Sequence, residues 1–125
     1  MATGVSAAVS ARVALNAYVR IAEAWQLDYS ESRRLLGVSE RTVYRWLKEG
    51  RREAAGRDAL ERISHIVTIW EDLAALFGRG EIARTWVRRP NRDFGDEPPL
   101  KRMVRGNVAD LVFVRSYLDN ARHGW

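Results

Sequence analysis

Apolar residues recur at helical spacing through most of the chain, and no stretch alternates as a strand would. Over residues 12–26, Ala14, Ala17, Tyr18, Ile21, Ala24 and Trp25 fall three and four apart, which predicts an amphipathic helix. Asp28 with Glu31 three residues later is a capping-box pattern and opens a second helix ending at Leu36. In the stretch LLGVSERTVYRW, residues 35–46, Gly37 suits a turn and Ser39 is placed to cap a third helix, while Val38, Val43 and Trp46 point back to the core. Residues 50–56 are charged and broken by glycine, as a linker would be.

Asp58 with Glu61 repeats the capping pattern and predicts a long helix over residues 58–77. Leu60, Ile63, Val67, Trp70, Ala74 and Phe77 form its stripe, and Ile66, Ile69, Leu73 and Leu76 widen it beyond one face. Such a helix needs neighbours on two sides, one being its own core and the other a second copy of the chain. A short helix over residues 81–88 is followed by RRPNRDFGDEPP, whose prolines, Asn91 and Gly95 favour turns. Pro98 or Pro99 starts a short helix to Met103, and Asn107 with Asp110 opens a last helix to Arg122; the LVFV run inside it would by itself also fit a strand, but the cap and the length favour helix. The fold class expected is all-α, with a flexible tail over 1–10, a helix-turn-helix unit and linker over 11–56, and a small helical unit over 57–125.

The third helix leaves Ser39, Glu40, Arg41, Thr42, Tyr44, Arg45 and Lys48 available on its outer side and N-terminal end, a hydrogen-bonding and basic set suited to a DNA major groove. The plain alternative is a solvated surface helix. Arg33 stands four before the turn glycine, where helix-turn-helix units carry a small residue, so either the two helices splay or Arg33 extends its head into water.

Charge supports a polyanionic partner: 21 Lys and Arg against 16 Asp and Glu give a net +5. There is no cysteine, which excludes disulfides and cysteine-based zinc sites and fits a cytoplasmic protein. The longest uncharged run, residues 1–11, is too short to span a membrane and lacks the basic start of a signal peptide. Catalytic chemistry is thinly supplied. His65 falls on the polar side of the long helix, and His123 is close to the C-terminus. GRGEIA, residues 78–83, matches a dinucleotide pattern but follows a helix rather than a strand, so it reads as a helix end and a new start. No enzyme activity, cofactor or metal is expected.

Downstream of the helix-turn-helix, Trp86, Pro90-Asn91, Phe94-Gly95, Pro99-Leu100 and Gly106 occur in an order that resembles the Xre/MbcA/ParS family of bacterial antitoxins. Asp96, where a second glycine is common, and Arg33 depart from the pattern. The resemblance implies a dimeric antitoxin of a type II toxin-antitoxin operon. Its partner would be a RES-domain toxin that depletes NAD, held by the C-terminal unit across the entrance to the NAD pocket while the N-terminal unit represses the operon. Toxin contacts would then fall on Trp86, Pro90, Asn91, Phe94 and Gly95, and on Tyr117, Arg122, His123 and Trp125, a terminal group rich in the aromatic and cationic character that anchors interfaces. The carboxylate after Trp125 could mimic a pyrophosphate there. Two plainer readings stand beside this one. The segment of residues 86–106 would be a rigid loop packing Trp86 and Phe94 onto the last helices, and the whole chain a stand-alone helix-turn-helix regulator with a C-terminal dimerisation or ligand domain.

Overall fold

The computed structural model describes the backbone of residues 3–124 and the side chains of residues 10–124. Among the described residues seven α-helices follow one another: α1 Thr3–Ala24, α2 Tyr29–Leu36, α3 Glu40–Leu47, α4 Arg57–Phe77, α5 Glu81–Thr85, α6 Pro99–Met103 and α7 Val108–Arg122. Two 3₁₀ turns, Trp86–Arg88 and Arg92–Phe94, lie between α5 and α6. The described residues form no strand, only an isolated bridge between Asn91 and Glu97. The fold is all-α, with the helix-turn-helix first and a helical C-terminal unit after it.

Local chemistry sets most boundaries. Asp28 accepts from the Glu31 amide at 2.7 Å while Glu31 accepts from the Asp28 amide at 3.0 Å, completing the capping box of α2. Gly37 ends that helix at φ +66°, in the left-handed region, and Ser39 caps α3 by accepting from the Thr42 amide at 3.1 Å. Pro99 opens α6 at its first position, where the missing N–H costs nothing. LVFV is helical, as the length of the segment predicts, although Asn107 at the start of α7 makes no side-chain capping bond.

Four expectations need correction. Helix α1 starts at Thr3, so residues 3–10 are helical rather than a loose tail; alanine extends a helix already nucleated downstream. Asp58 does not cap α4. Gly56 holds that position without a side-chain bond, and Asp58 instead accepts from Arg62 Nε at 2.9 Å. The glycine-broken segment 50–56 is pinned, because Trp46 Nε1 donates to the Ala54 carbonyl at 3.2 Å and Arg52 donates to the Trp46 carbonyl at 2.9 Å and to Asn16 at 2.8 Å. His65 is half-buried between α4 and α7, with Arg115 at 3.0 Å from its Nδ1.

The core is continuous from α1 to α7. Leu15, Tyr18, Ile21 and Trp25 of α1 meet Ile63, Ile66, Ile69 and Leu73 of α4, which in turn meet Leu111, Val114 and Leu118 of α7. Both apolar sides of α4 therefore find neighbours within one chain, while Phe77 near its end stays 42% exposed. Inside this core the Tyr18 hydroxyl donates to Ser32 at 2.7 Å, so the small residue at the approach of α1 to α2 is Ser32, while the neighbouring Arg33 is exposed.

Arg88 fastens the C-terminal unit to the helix-turn-helix. It donates to the Trp25 and Gln26 carbonyls at the end of α1, each at 2.7 Å, and pairs with Glu31 of the α2 capping box at 2.7 Å. At the start of α7, buried Asp110 accepts from Arg102 of α6 at 2.7 Å. Burial alone would raise that carboxyl, but Arg102 and the neighbouring Asn107 overrule it and hold it below the ordinary aspartate range. A carboxylate depressed in the folded state stabilises above its unfolded value, and that contribution is lost as pH falls through the folded one. Asp110→Asn is therefore expected to lower stability by about 1 to 3 kcal/mol at neutral pH. In urea titrations over a pH series, the gap from wild type should narrow on acidification below the ordinary aspartate range; a gap of constant size would refute this role for the pair.

Candidate functional site

Two faces stand out, one on each unit. On the helix-turn-helix, α3 buries Val43 and Trp46, with Val38 half-buried beside them. The rest of the helix turns outward. Ser39, Glu40, Arg41, Tyr44 and Lys48 are exposed, and Thr42 and Arg45 are half-buried at the edges of the face. Ser39 donates to Thr42 Oγ1 at 3.0 Å while accepting the Thr42 amide, so these two hydroxyls hold the helix start. Tyr44 lies edge-on to Tyr29 of α2 at 6.2 Å between ring centroids and remains 45% exposed. No carboxylate pairs with Arg41, Arg45 or Lys48 among the described residues, so their charge faces solvent.

On the C-terminal unit, the segment between α5 and α6 folds as a tight loop over α7. Asn91 Oδ1 accepts from the Asp93 amide at 2.9 Å, and the Asn91 carbonyl accepts from Phe94 and Asp96 at 2.9 and 3.0 Å. Gly95 and Asp96 both take positive φ, +67° and +64°. Aspartate is among the few residues other than glycine that tolerate the conformation at position 96.

This geometry aims aromatic rings together. Trp86 stacks on Tyr117 at 6.1 Å, and Phe94 meets Trp86, Tyr117 and Phe113 at 5.9, 5.0 and 5.8 Å. The Tyr117 hydroxyl donates to Asp93 at 2.6 Å, and burial together with that carboxylate raises its pKa. The Arg102 guanidinium lies 3.9 Å from the centre of the Phe113 ring. The rigid-loop reading of Trp86 and Phe94 is thus what the packing onto α7 provides. Phe113 remains 43% exposed and Val112 is exposed beside it, so the cluster has an apolar rim.

The other expected contacts are dispersed. Pro90 and Gly95 are exposed and Asn91 is half-buried. Arg122 is engaged inside the chain, donating to the buried Asp72 of α4 at 3.0 Å. Asp119 lies next to this pair; its hydrogen bond to Asp72 raises its carboxyl, burial and the like charge add to the rise, and Arg115 and His123 pull against it. His123 is exposed, and Trp125 lies outside the described residues. Sequence reasoning read LVFV as covering more than one face without singling out Phe113, and only Leu111 and Val114 of that run are buried. The i, i+3 spacing of those two was the signal that could have singled out Phe113.

Among the described residues no helix is long and apolar enough to cross a membrane, and no cluster of His, Cys, Asp and Glu could hold a metal ion.

Comparison with known proteins agrees with this division of labour. Residues 4–67 match the antitoxin Xre-like helix-turn-helix domain, and residues 72–124 match the antitoxin Xre/MbcA/ParS C-terminal toxin-binding domain. The boundary between the two matches falls within α4, the helix that both units share. An uncharacterised protein of Sinorhizobium fredii, y4oB, is 43% identical over 118 residues, covering 92% of this chain and 90% of its own length. With both matches in family order across almost the whole chain, this protein belongs to the Xre/MbcA/ParS antitoxins, non-enzymatic regulators that join a helix-turn-helix to a toxin-binding domain.

Proposed function

We propose that this antitoxin acts in a type II operon, where α3 reads operator DNA to repress transcription and the C-terminal unit blocks the NAD pocket of a RES-domain toxin. The observation that carries the reading is the separation of the two faces. A basic, unpaired helix surface sits on one unit and a preorganised aromatic cluster with an exposed apolar rim on the other. Rigid rings present large contact area at little entropic cost, which suits them to a protein partner. The family supplies a toxin as that partner, and its RES identity rests on the resemblance of the Trp86 to Gly106 motif alone.

Ser39, Glu40, Arg41, Thr42, Tyr44, Arg45 and Lys48 are the proposed DNA contacts. One short recognition helix reads only a few base pairs, so specificity requires a homodimer on two half-sites about 34 Å apart. This argument for a dimer comes from the DNA; α4 is already flanked by α1 and α7 of its own chain. Arg41→Ala and Arg45→Ala should each weaken operator binding by about 1 to 3 kcal/mol and change base preference. Footprinting at low salt measures this, and a wild-type chain that leaves no footprint removes the repressor role.

For the toxin, the proposed contacts are Trp86, Pro90, Asn91, Phe94, Gly95, Tyr117, Arg122, His123 and Trp125, with Phe113 added as the exposed rim. Removing the chain from residue 122 onward would also strip buried Asp72 of its arginine partner, so point changes are the cleaner test. Phe113→Ala and Trp125→Ala are each expected to raise the toxin dissociation constant tenfold or more, about 1.4 kcal/mol, while leaving operator binding unchanged. Calorimetric titration and cellular NAD levels read the effect. Full neutralisation by both variants would move the toxin contact away from these residues.

A further inference from the structure

Two neighbouring cavities open where the C-terminal unit meets the helix-turn-helix, and both are lined by Arg34, Val104 and Arg105. One is bounded by the turn itself, with Arg33, Gly37 and Val38, and the other runs toward Phe94 and Phe113. What joins the units here is Arg62 of α4. Its Nη1 donates to the Gly106 carbonyl at 3.0 Å and lies 3.5 Å from the Arg34 carbonyl, while Asp58 holds its Nε. The guanidinium is seated so closely on Gly37 that a Cβ there would lie 2.6 Å from Cζ. The φ of +66° is what favours glycine at position 37, where an added Cβ would have to displace only the flexible Arg62 head, and the loop between α6 and α7 is stapled to the helix-turn-helix turn.

The staple gathers positive charge. Arg33, Arg34 and Arg105 are all exposed, and none of them pairs with a carboxylate among the described residues. The acidic groups nearby are engaged otherwise: Glu97 by Lys101 at 2.9 Å, Asp93 by the Tyr117 hydroxyl at 2.6 Å, and Asp110 by Arg102 at 2.7 Å. Three uncompensated arginines from two units thus converge on a wall that includes Val38, the residue next to the Ser39 cap of α3. That is the end of a recognition helix that enters the major groove, and phosphates run along both edges of the groove.

We propose that Arg33, Arg34 and Arg105 form a phosphate clamp that grips the DNA backbone beside the groove occupied by α3, so that the C-terminal unit takes part in DNA binding through Arg105. The proposal rests on the DNA-reading role of α3 given above and adds a second set of contacts from a different part of the chain. Arginine suits it, because its fixed fork of donors matches phosphate oxygens. These contacts carry no base information, so they act on any sequence alike.

The test uses the full-length chain, a duplex from upstream of its own gene, and a random-sequence duplex of equal length, titrated by fluorescence anisotropy over a salt series. Each lost phosphate contact should reduce the slope of log affinity against log salt by about 0.9. Arg33→Gln, Arg34→Gln and Arg105→Gln combined should lower that slope by two or more such steps and weaken both duplexes by the same factor, tenfold or more at low salt. Arg41→Ala should instead change the ratio between the two duplexes. If the triple variant melts earlier than wild type, Arg105→Gln alone is read, and its slope should fall by one step. A wild-type chain that binds neither duplex removes the DNA-reading role and the clamp with it. Wild-type binding with an unchanged slope in the variants overturns the clamp alone. The clamp also fails if the variants keep the DNA slope but lose the toxin, because the arginines then serve a protein partner.

Discussion

The structure depends on one constraint, the need to bury a 21-residue helix that is apolar on more than one face. Helix α4 cannot be a surface helix of either unit, since Ile63, Ile66, Ile69 and Leu73 are all shielded from water. At about 25 cal/mol per Å² of apolar surface, leaving one side open would forfeit several side chains' worth of stabilisation, each roughly 1.5 to 3 kcal/mol. Packing α1 against one side and α7 against the other resolves this within the chain. The cost is modularity: the two family segments share one core, and a change in α4 is felt by both faces.

Around that core, arginines that look like surplus surface charge in the sequence hold elements together. Arg88 closes the end of α1 and reaches the α2 capping box, Arg62 binds the turn to the loop before α7, Arg52 pins the connection after α3, and Arg102 orders the start of α7. A guanidinium does this better than an ammonium because it can donate to two or three acceptors in fixed directions at once. The net charge of +5 is therefore a poor guide to partner binding on its own. The informative charges are those the fold leaves without an acid, and among these Arg41, Arg45 and Lys48 share α3 while Arg33, Arg34 and Arg105 share the wall beside its turn.

Helix order, the α2 capping box, the Ser39 cap, the Gly37 turn and the proline start of α6 were legible because each depends on residues within four positions of one another. The outward face of α3 was legible for the same reason. What escaped is non-local. Asp58 and Arg62 are four apart, so their pairing lay within reach of the sequence, but the Gly106 carbonyl that also holds Arg62 lies 44 residues on. Periodicity showed that α4 needed two neighbours but not that α7 would be the second. It likewise put His65 on a polar face without showing that Arg115 would cover it.

The aromatic cluster shows how a structural role and a recognition role can belong to the same residues. Trp86 and Phe94 fasten a loop whose backbone is bonded at Asn91 and bent through two positive-φ residues, so the loop keeps its shape with nothing bound. Packing inward does not disqualify it as a binding surface. A partner meeting Phe113 and Val112 finds a surface already ordered by the rings beneath, and the entropy of arranging it was met on folding rather than on association. The same reasoning separates Arg122 from Phe113 as an anchor. To reach outward, Arg122 must release the buried Asp72 carboxylate, and removing one partner of a buried ion pair is costly, whereas Phe113 already presents an exposed face.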